Sequence, residues 1–434
     1  MGLPSIQQTL FQAIDDRLLS DLNDWRTLYT SIYTSQEQKI QEAFLILLHQ
    51  YGWNTHILDH DHHIIYSESA NNAPYTLLLS LQYTPGFSQQ RDWQLLLTFF
   101  SHLVALQIYK TRFGSVPMNI KWLLVMEETS SYTTLERMIS AQSSLLKADS
   151  CILYTTKREI SKEIGLPELT LGIKGHLSTD ISIQTAATAI PSDYGSIAPN
   201  AAWQLIWALR SLKDDREDIL IDGFYDDILP VEDEIVEALS HLPDTAALLA
   251  QAWGVEHLLL DLQGVQQYYA QFLTPTCSIT HINSNHDLAA IPGTATAHLD
   301  FRLVPQQNPY EIFTKLQQHL QAQSTYPLQI QLRSASCPVY TSEKDTLVQH
   351  LQHSMKAIYN QLPTMIPLSS ELNLYDVLLR TRLAIPTIRV AMPEPPNIDT
   401  QEEQKYLAQS IKLEALFLAQ APNYHPYASK PSSH

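Results

Sequence analysis

Two apolar runs of strand length, Tyr75–Tyr83 (YTLLLSLQY) and Met118–Met126 (MNIKWLLVM), flank the long apolar stretch Gln94–Lys110. A continuous apolar strand must be covered on both faces, and a stretch as long as Gln94–Lys110 reads as a buried helix. Strand, helix, strand at this spacing is a βαβ crossover, which commits the chain to a parallel sheet with helices packed over it. A further helix and strand, Tyr132–Leu146 and Ser150–Thr155, extend the same order. Upstream, Gln7–Asn23 and Gln36–Tyr51 place apolar residues at three- and four-residue intervals and read as helices. Trp53–Leu58 and His63–Tyr66 read as a strand pair turned at Asp59–His62.

From about Thr170 the pattern changes to the short strands Leu171–Ile173 and Thr179–Thr185, then the helix Ala198–Leu212. Thr294–Val304 alternates as a half-buried strand, Pro309–Gln323 follows as a helix, and Leu328–Arg333 closes the section as a strand. The α/β order then returns with helix Asp345–Tyr359, strand Leu383–Val390 and helix Glu402–Leu418. The expected organisation is a discontinuous α/β domain, residues 1–169 and 336–434, carrying an inserted α+β domain at 170–335. The tail 423–434, rich in Pro and Ser, is expected to be disordered.

With 434 residues the chain exceeds one ordinary core, in keeping with two domains. A formal charge of −18 and the lack of a basic patch argue against nucleic acid or an anionic membrane as partner, because binding to either needs clustered Lys and Arg. The three cysteines, Cys151, Cys277 and Cys337, are widely spaced and odd in number, which fits a reducing cytoplasm better than a disulfide framework. The N-terminal segment lacks the basic start and apolar core of a signal peptide, and no apolar run approaches a bilayer's thickness.

Two stretches, Tyr194–Asp214 (YGSIAPNAAWQLIWALRSLKD) and Ala290–Pro309 (AIPGTATAHLDFRLVPQQNP), resemble the lid domain of the M20 family of dizinc amino-hydrolases, in particular its carnosinase-like dipeptidase branch. The acidic section Lys213–Glu237, with eleven Asp or Glu and the segment DGFYDDILP, also resembles that branch; its charges read as a solvated connecting surface. The resemblance implies an α/β/α catalytic-type domain of the zinc-exopeptidase kind with an inserted lid, and a homodimer formed through that lid. Such enzymes hold two zinc ions with a bridging aspartate, two histidines and two further acids, and a glutamate acts as general base to the bridging water.

At the positions implied by the resemblance, most of these ligands are replaced. Leu81 and Tyr83 stand where a His-x-Asp pair would end its strand, and the turn that should supply the bridging aspartate reads Gln90-Arg91-Asp92-Trp93, with Asp92 the only substitute. Glu127 falls on the general-base position and Glu128 on a ligand position. Thr155 replaces the next acid, Ile398 the final histidine and Pro191 the lid histidine. Ser334–Pro338 and Ser369-Ser370-Glu371 replace glycine-rich substrate loops, while Arg302 matches a substrate-binding arginine. Only Glu128 remains of five ligands, so no cofactor is expected.

Plainer readings compete at several positions. Two adjacent carboxylates are common at a strand end without any cation, and Arg302 is as readily explained by a pair with a neighbouring acid. The cluster His56, Asp59, His60, Asp61, His62 and His63 reads as a solvated turn, and Cys151 as a small core residue. Ser369 and Ser370 have no His–Asp partners identifiable in the sequence. The expectation is a peptidase-like protein that has lost dizinc hydrolysis and binds a peptide or small amide. The alternative is an active zinc-dependent dipeptidase or amidohydrolase built on Glu128 with Asp92, or a metal-free activity using Glu127.

Overall fold

The computed structural model describes residues 3–33, 37–59, 64–69, 71–83, 89–126, 132–156, 158–160, 165–284, 290–371, 373–393 and 400–420. These fall into two compact units, one of residues 1–171, 341–366 and 373–434, the other of residues 172–340 and 367–372. The chain enters through α1 (Leu3–Tyr33), α2 (Glu37–Gln50), β1 (Asn54–Asp59), β2 (Ile64–Ser69), β3 (Thr76–Tyr83), α3 (Gln89–Phe113), β4 (Asn119–Met126), α4 (Tyr132–Ala141), β5 (Ser150–Thr155) and β6 (Glu168–Thr170). The second unit holds β7 (Gly172–Ile173), β8 (Gly175–Gln184), β9 (Ile190–Pro191), α5 (Ala201–Arg210), α6 (Asp233–Ser240), α7 (Ala246–Trp253), α8 (Gly264–Leu273), β10 (Thr276–Asn283), β11 (Ala290–Ile291), β12 (Thr294–Leu303), α9 (Pro309–Gln323), β13 (Leu328–Ser336) and β14 (Val339–Tyr340). The first unit resumes with α10 (Thr346–Tyr359), β15 (Thr364–Ile366), α11 (Leu374–Leu383), β16 (Thr387–Ala391) and α12 (Thr400–Ala419).

The first unit is built on an eight-stranded sheet ordered β1-β2-β4-β3-β5-β16-β6-β15. Its centre is parallel: β3 pairs with β4 and β5, and β5 with β16, so the apolar runs of the sequence occupy the strands buried on both faces. Alternation sorts their side chains. Leu77, Leu79, Leu81, Trp122, Leu124, Ile152 and Tyr154 belong to one buried cluster with α1, α2, α3, α10 and α12, whereas Leu78, Leu123, Val125, Cys151 and Leu153 pack with α4 and α11. At about 2 kcal/mol for each large apolar side chain withdrawn from water, this two-sided burial is the main stabilising term.

In the second unit, β10-β12-β8-β13 form an antiparallel sheet. Leu177, Ile181 and Ile183 of β8 and Ala295, Ala297, Leu299, Phe301 and Leu303 of β12 turn to one face, where Leu205 and Leu209 of α5 and Ile312, Leu316 and Leu320 of α9 complete the core. Asn200 caps α5 by accepting from the Ala202 and Trp203 N–H groups, and Asn308 caps α9 ahead of Pro309. Gly172 is required where β7 meets β14, because a Cβ there would lie 2.4 Å from the Val339 carbonyl oxygen and 2.8 Å from Leu368 Cδ2.

Several boundaries differ from the sequence reading. Strand Leu383–Val390 is instead the end of α11 followed by β16 at Thr387–Ala391. Asn373 caps α11, Ala384 adopts a left-handed conformation after it and Pro386 follows, which together make a helix stop. The N-terminal helix runs Leu3–Tyr33 rather than Gln7–Asn23, and Asp59 belongs to β1 rather than to the turn. Strand β10 and helices α7 and α8 are further elements. The tail 423–434 lies outside the described residues.

Candidate functional site

Parallel strands present ligands at their carboxyl ends, so the ends of β3, β4 and β5 are where a site would form. Leu81, near the end of β3, is 0% exposed and sits in register with Leu124 and Tyr154 inside the core. Behind it on the opposite face, Ser80 Oγ lies 2.5 Å from the Tyr375 hydroxyl. Thr155 ends β5 half-buried. Glu127, Glu128 and Ile398 lie outside the described residues, as do the side chains of Tyr83 and Asp92, although Asp92 itself lies on α3. Among the described residues no group of three or more His, Cys, Asp or Glu is arranged to hold a metal ion. An apolar Leu81 and a single hydroxyl at Thr155 do not fit a zinc pair, which needs several nitrogen and carboxylate donors.

Beneath the strand ends lies a buried polar group that sequence reasoning missed. His102 of α3 places Nε2 2.6 Å from the Tyr154 hydroxyl and Nδ1 3.1 Å from Glu414 Oε2, while Tyr154 donates to Glu414 Oε1 at 3.4 Å. The edge of Trp122 closes over the imidazole, with ring centroids 5.3 Å apart. Burial pushes the Glu414 carboxyl up to about 8 and the His102 imidazole down to about 3. Both groups are therefore largely neutral at neutral pH. A protonated Glu414 donates to Nδ1, Nε2–H donates to Tyr154, and Tyr154 donates back to Glu414, so every donor in the ring is used.

Arg302, the expected substrate-binding arginine, lies on β12 with Nε 3.1 Å from Asp300 Oδ1, and His176 Nε2 is 2.8 Å from the other oxygen of that carboxylate. Desolvation raises the Asp300 carboxyl, but the His176 hydrogen bond and then the Arg302 charge together outweigh it and hold the group below the usual carboxylate range. Lys174 is 2% exposed and donates from Nζ to the carbonyls of Gln271 and Thr274 at the end of α8. Burial, with Arg302 adding repulsion, pulls its ammonium down to about 7. Ser370 Oγ donates to the same Gln271 carbonyl, and Ser369 is fully buried. Pro191 lies on β9, paired with Ala290. His56 is exposed and stacks on Tyr66, while His60, Asp61, His62 and His63 lie outside the described residues.

The face of the second sheet opposite α5 and α9 is polar throughout. His176, Ser178, Asp180 and Ser182 alternate along β8, Thr296, His298, Asp300 and Arg302 along β12, and Gln329, Gln331 and Arg333 along β13. Ser178 Oγ lies 3.0 Å from His298 Nε2, His298 Nδ1 lies 2.6 Å from Asp180 Oδ1, and Arg333 Nε donates to Asp180 Oδ2 at 2.5 Å. The signal was present in the sequence as polar residues at a strict period of two, the mirror of the apolar alternation that was read.

Residues 171–325 match the M20 peptidase dimerisation domain. The chain is 24% identical over 229 residues to the Beta-Ala-His dipeptidase of Rattus norvegicus, covering 50% of this chain and 45% of that protein. It is 22% identical over 344 residues to that of Mus musculus, covering 76% and 69%. The matched stretch thus spans about half the length of the rat relative. The fold is similar to that of an M20 family metallo-carboxypeptidase from Sulfolobus solfataricus, with a TM-score of 0.71 and 25% identity over 90% of this chain and 99% of that one. It is also similar to human carnosine dipeptidase 1, with a TM-score of 0.62 and 16% identity over 96% and 99%.

Proposed function

We propose that this chain, an M20 peptidase homologue by sequence and by fold, does not carry out dizinc hydrolysis and acts by binding a peptide or small amide, as a homodimer joined through its dimerisation domain. One observation carries the reading: Leu81, at the strand end where the family's first histidine would stand, is part of the packed core. A zinc pair supplies a metal-bound hydroxide as nucleophile, and one carboxylate at Glu128 cannot anchor two such ions. The dimer reading draws on α5, where Trp203 and Trp207 are 55% and 56% exposed and stack at 6.0 Å, and on the exposed Ile279 and Ile282 of the edge strand β10. Apolar surface of this kind marks an interaction site. Arg302 is the proposed anchor for a ligand carboxylate, exchanging or sharing its hold on Asp300. Cys151, Cys277 and Cys337 are free thiols, which favours a reducing compartment such as the cytoplasm.

The second reading keeps an enzyme, with Glu127 as base and one metal on Glu128 and Asp92. Metal content separates the two. Untagged protein, purified without chelator and dialysed against zinc, is expected to hold close to none by elemental analysis. One or two tightly held ions per chain, lost in Glu128→Ala, would overturn the binding-protein reading.

A further inference from the structure

The polar face of the second sheet brings a serine, a histidine and an aspartate into one hydrogen-bonded line. His298 lies directly opposite Asp180 in the β12–β8 register, and Ser178 is two residues earlier on β8, so the imidazole reaches both across one strand boundary. Its two nitrogens are distributed in the order that chemistry requires: Nδ1 to Asp180 at 2.6 Å and Nε2 to Ser178 at 3.0 Å. Hydrogen bonds from Arg333 and then His298 hold the Asp180 carboxyl below its ordinary range, so it is an anion that only accepts. Nδ1 must then carry the proton. In the neutral imidazole this leaves the Nε2 lone pair facing Ser178, whose hydroxyl donates to it. A cavity of about 290 Å³ lies beside the group, walled by Asp180, His298, His281, Gln331 and Arg333, with Ser178 behind His298 rather than on its wall.

We propose that Ser178 is a nucleophile for esters of small carboxylic acids, with His298 as its general base and Asp180 as the residue that positions the imidazole. The serine oxygen bonds to the ester carbonyl carbon while its proton passes to His298 Nε2. The carbon–alkoxy bond then breaks, and the leaving alcohol takes that proton, which leaves acyl-Ser178. Water gives a proton to His298, attacks the acyl carbon and releases the free acid, restoring the serine. Arg333 engages Asp180 through Nε and Nη2 and stands on the cavity wall, so it fixes the carboxylate that positions the imidazole. Ser178 is 6% exposed, which favours a small acyl group over a bulky one. All of these residues lie within the second unit, so the proposal is independent of any metal site in the first.

The test is labelling of the full chain with a small fluorophosphonate, followed by peptide mapping, alongside p-nitrophenyl acetate hydrolysis in the presence of 1,10-phenanthroline. The expected result is an adduct on Ser178 and chelator-insensitive turnover that falls by roughly a hundredfold in Ser178→Ala and in His298→Gln. Asp180→Asn, which favours the wrong tautomer, is expected to lower kcat with KM retained, and Thr314→Ala, on α9 at the opposite face of the sheet, to leave both unchanged. A wild-type protein that takes no label at Ser178 would overturn the proposal without recourse to any variant. Hydrolysis undiminished in folded His298→Gln would do the same.

Discussion

The Glu414 carboxyl oxygen Oε2 faces His102 Nδ1 at 3.1 Å in a part of the core where the two side chains are 6% and 4% exposed. The pair joins α3 to α12, which pack together on one face of the sheet, and it is tied to β5 through Tyr154.

The two groups act on stability in opposite senses. Glu414 is raised from 4.5 to about 8, so its contribution is complete below 4.5 and is lost as pH rises through 8. His102 is lowered from 6.5 to about 3, so its contribution is complete above 6.5 and is lost as pH falls through 3. Between 4.5 and 6.5 the terms cancel, and between 6.5 and 8 only the Glu414 loss remains. Calorimetry from pH 5 to 8.5 should therefore give a flat melting temperature followed by a fall, on the order of 1 kcal/mol per pH unit. Glu414→Gln, which preserves the ring of hydrogen bonds, should remove the fall.

Leu81→Ala should cost roughly 2–5 kcal/mol in urea unfolding, the range for emptying a packed leucine site. Leu81→His should cost at least as much, because it buries an imidazole without a partner. A variant as stable as wild type in the presence of zinc would show that a ligand shell exists around this strand end.

Trp203→Glu with Trp207→Glu places charge on the exposed stacked pair of α5. Light scattering should report a dimer for the wild type and a monomer for the double variant, with the circular dichroism spectrum unchanged because neither ring belongs to the α5–α9 core. A wild-type monomer at micromolar concentration would remove the dimer from the proposal.

Lys174→Met removes two charge-assisted hydrogen bonds to the end of α8 and should destabilise the second unit by about 1–3 kcal/mol. Hydrogen exchange should localise the loss to residues 264–274. Uniform acceleration across the unit would mean that the lysine supports the fold generally rather than anchoring this helix.

Glu127→Gln tests the surviving base position directly. Binding of any peptide ligand should be unaffected, and neither protein should hydrolyse a dipeptide library. Turnover that is present in the wild type and lost in the variant would restore the enzyme reading.

The apolar strands β3, β4 and β5 were legible because a run such as YTLLLSLQY leaves no other burial, and the inserted α+β section because its strands alternate. Helix α11 was misread because its apolar residues adjoin Leu383 and Ile385, which resemble a strand until Ala384 and Pro386 are given their conformational weight. Strand β10 carries little apolar alternation, being an exposed edge, and so gave no periodic signal. At the candidate site, the burial of Leu81 was legible because it belongs to the apolar run YTLLLSLQY. The His102–Tyr154–Glu414 ring was not, since its members lie 52 and 260 residues apart and only the sheet and two helices bring them together. The Ser178–His298 contact likewise depends on β8 and β12 pairing across 120 residues.

Leu81 has a historical consequence as well as a structural one. A position that packs the core is defended by selection for folding, whatever becomes of function. On the proposed reading, any lineage moving toward metal chemistry at this strand end would have to pass through a less stable protein, with no gain until several other ligands had arrived. The strand end thus works as a ratchet, and new activity is more easily built on another face of the molecule than at this packed position.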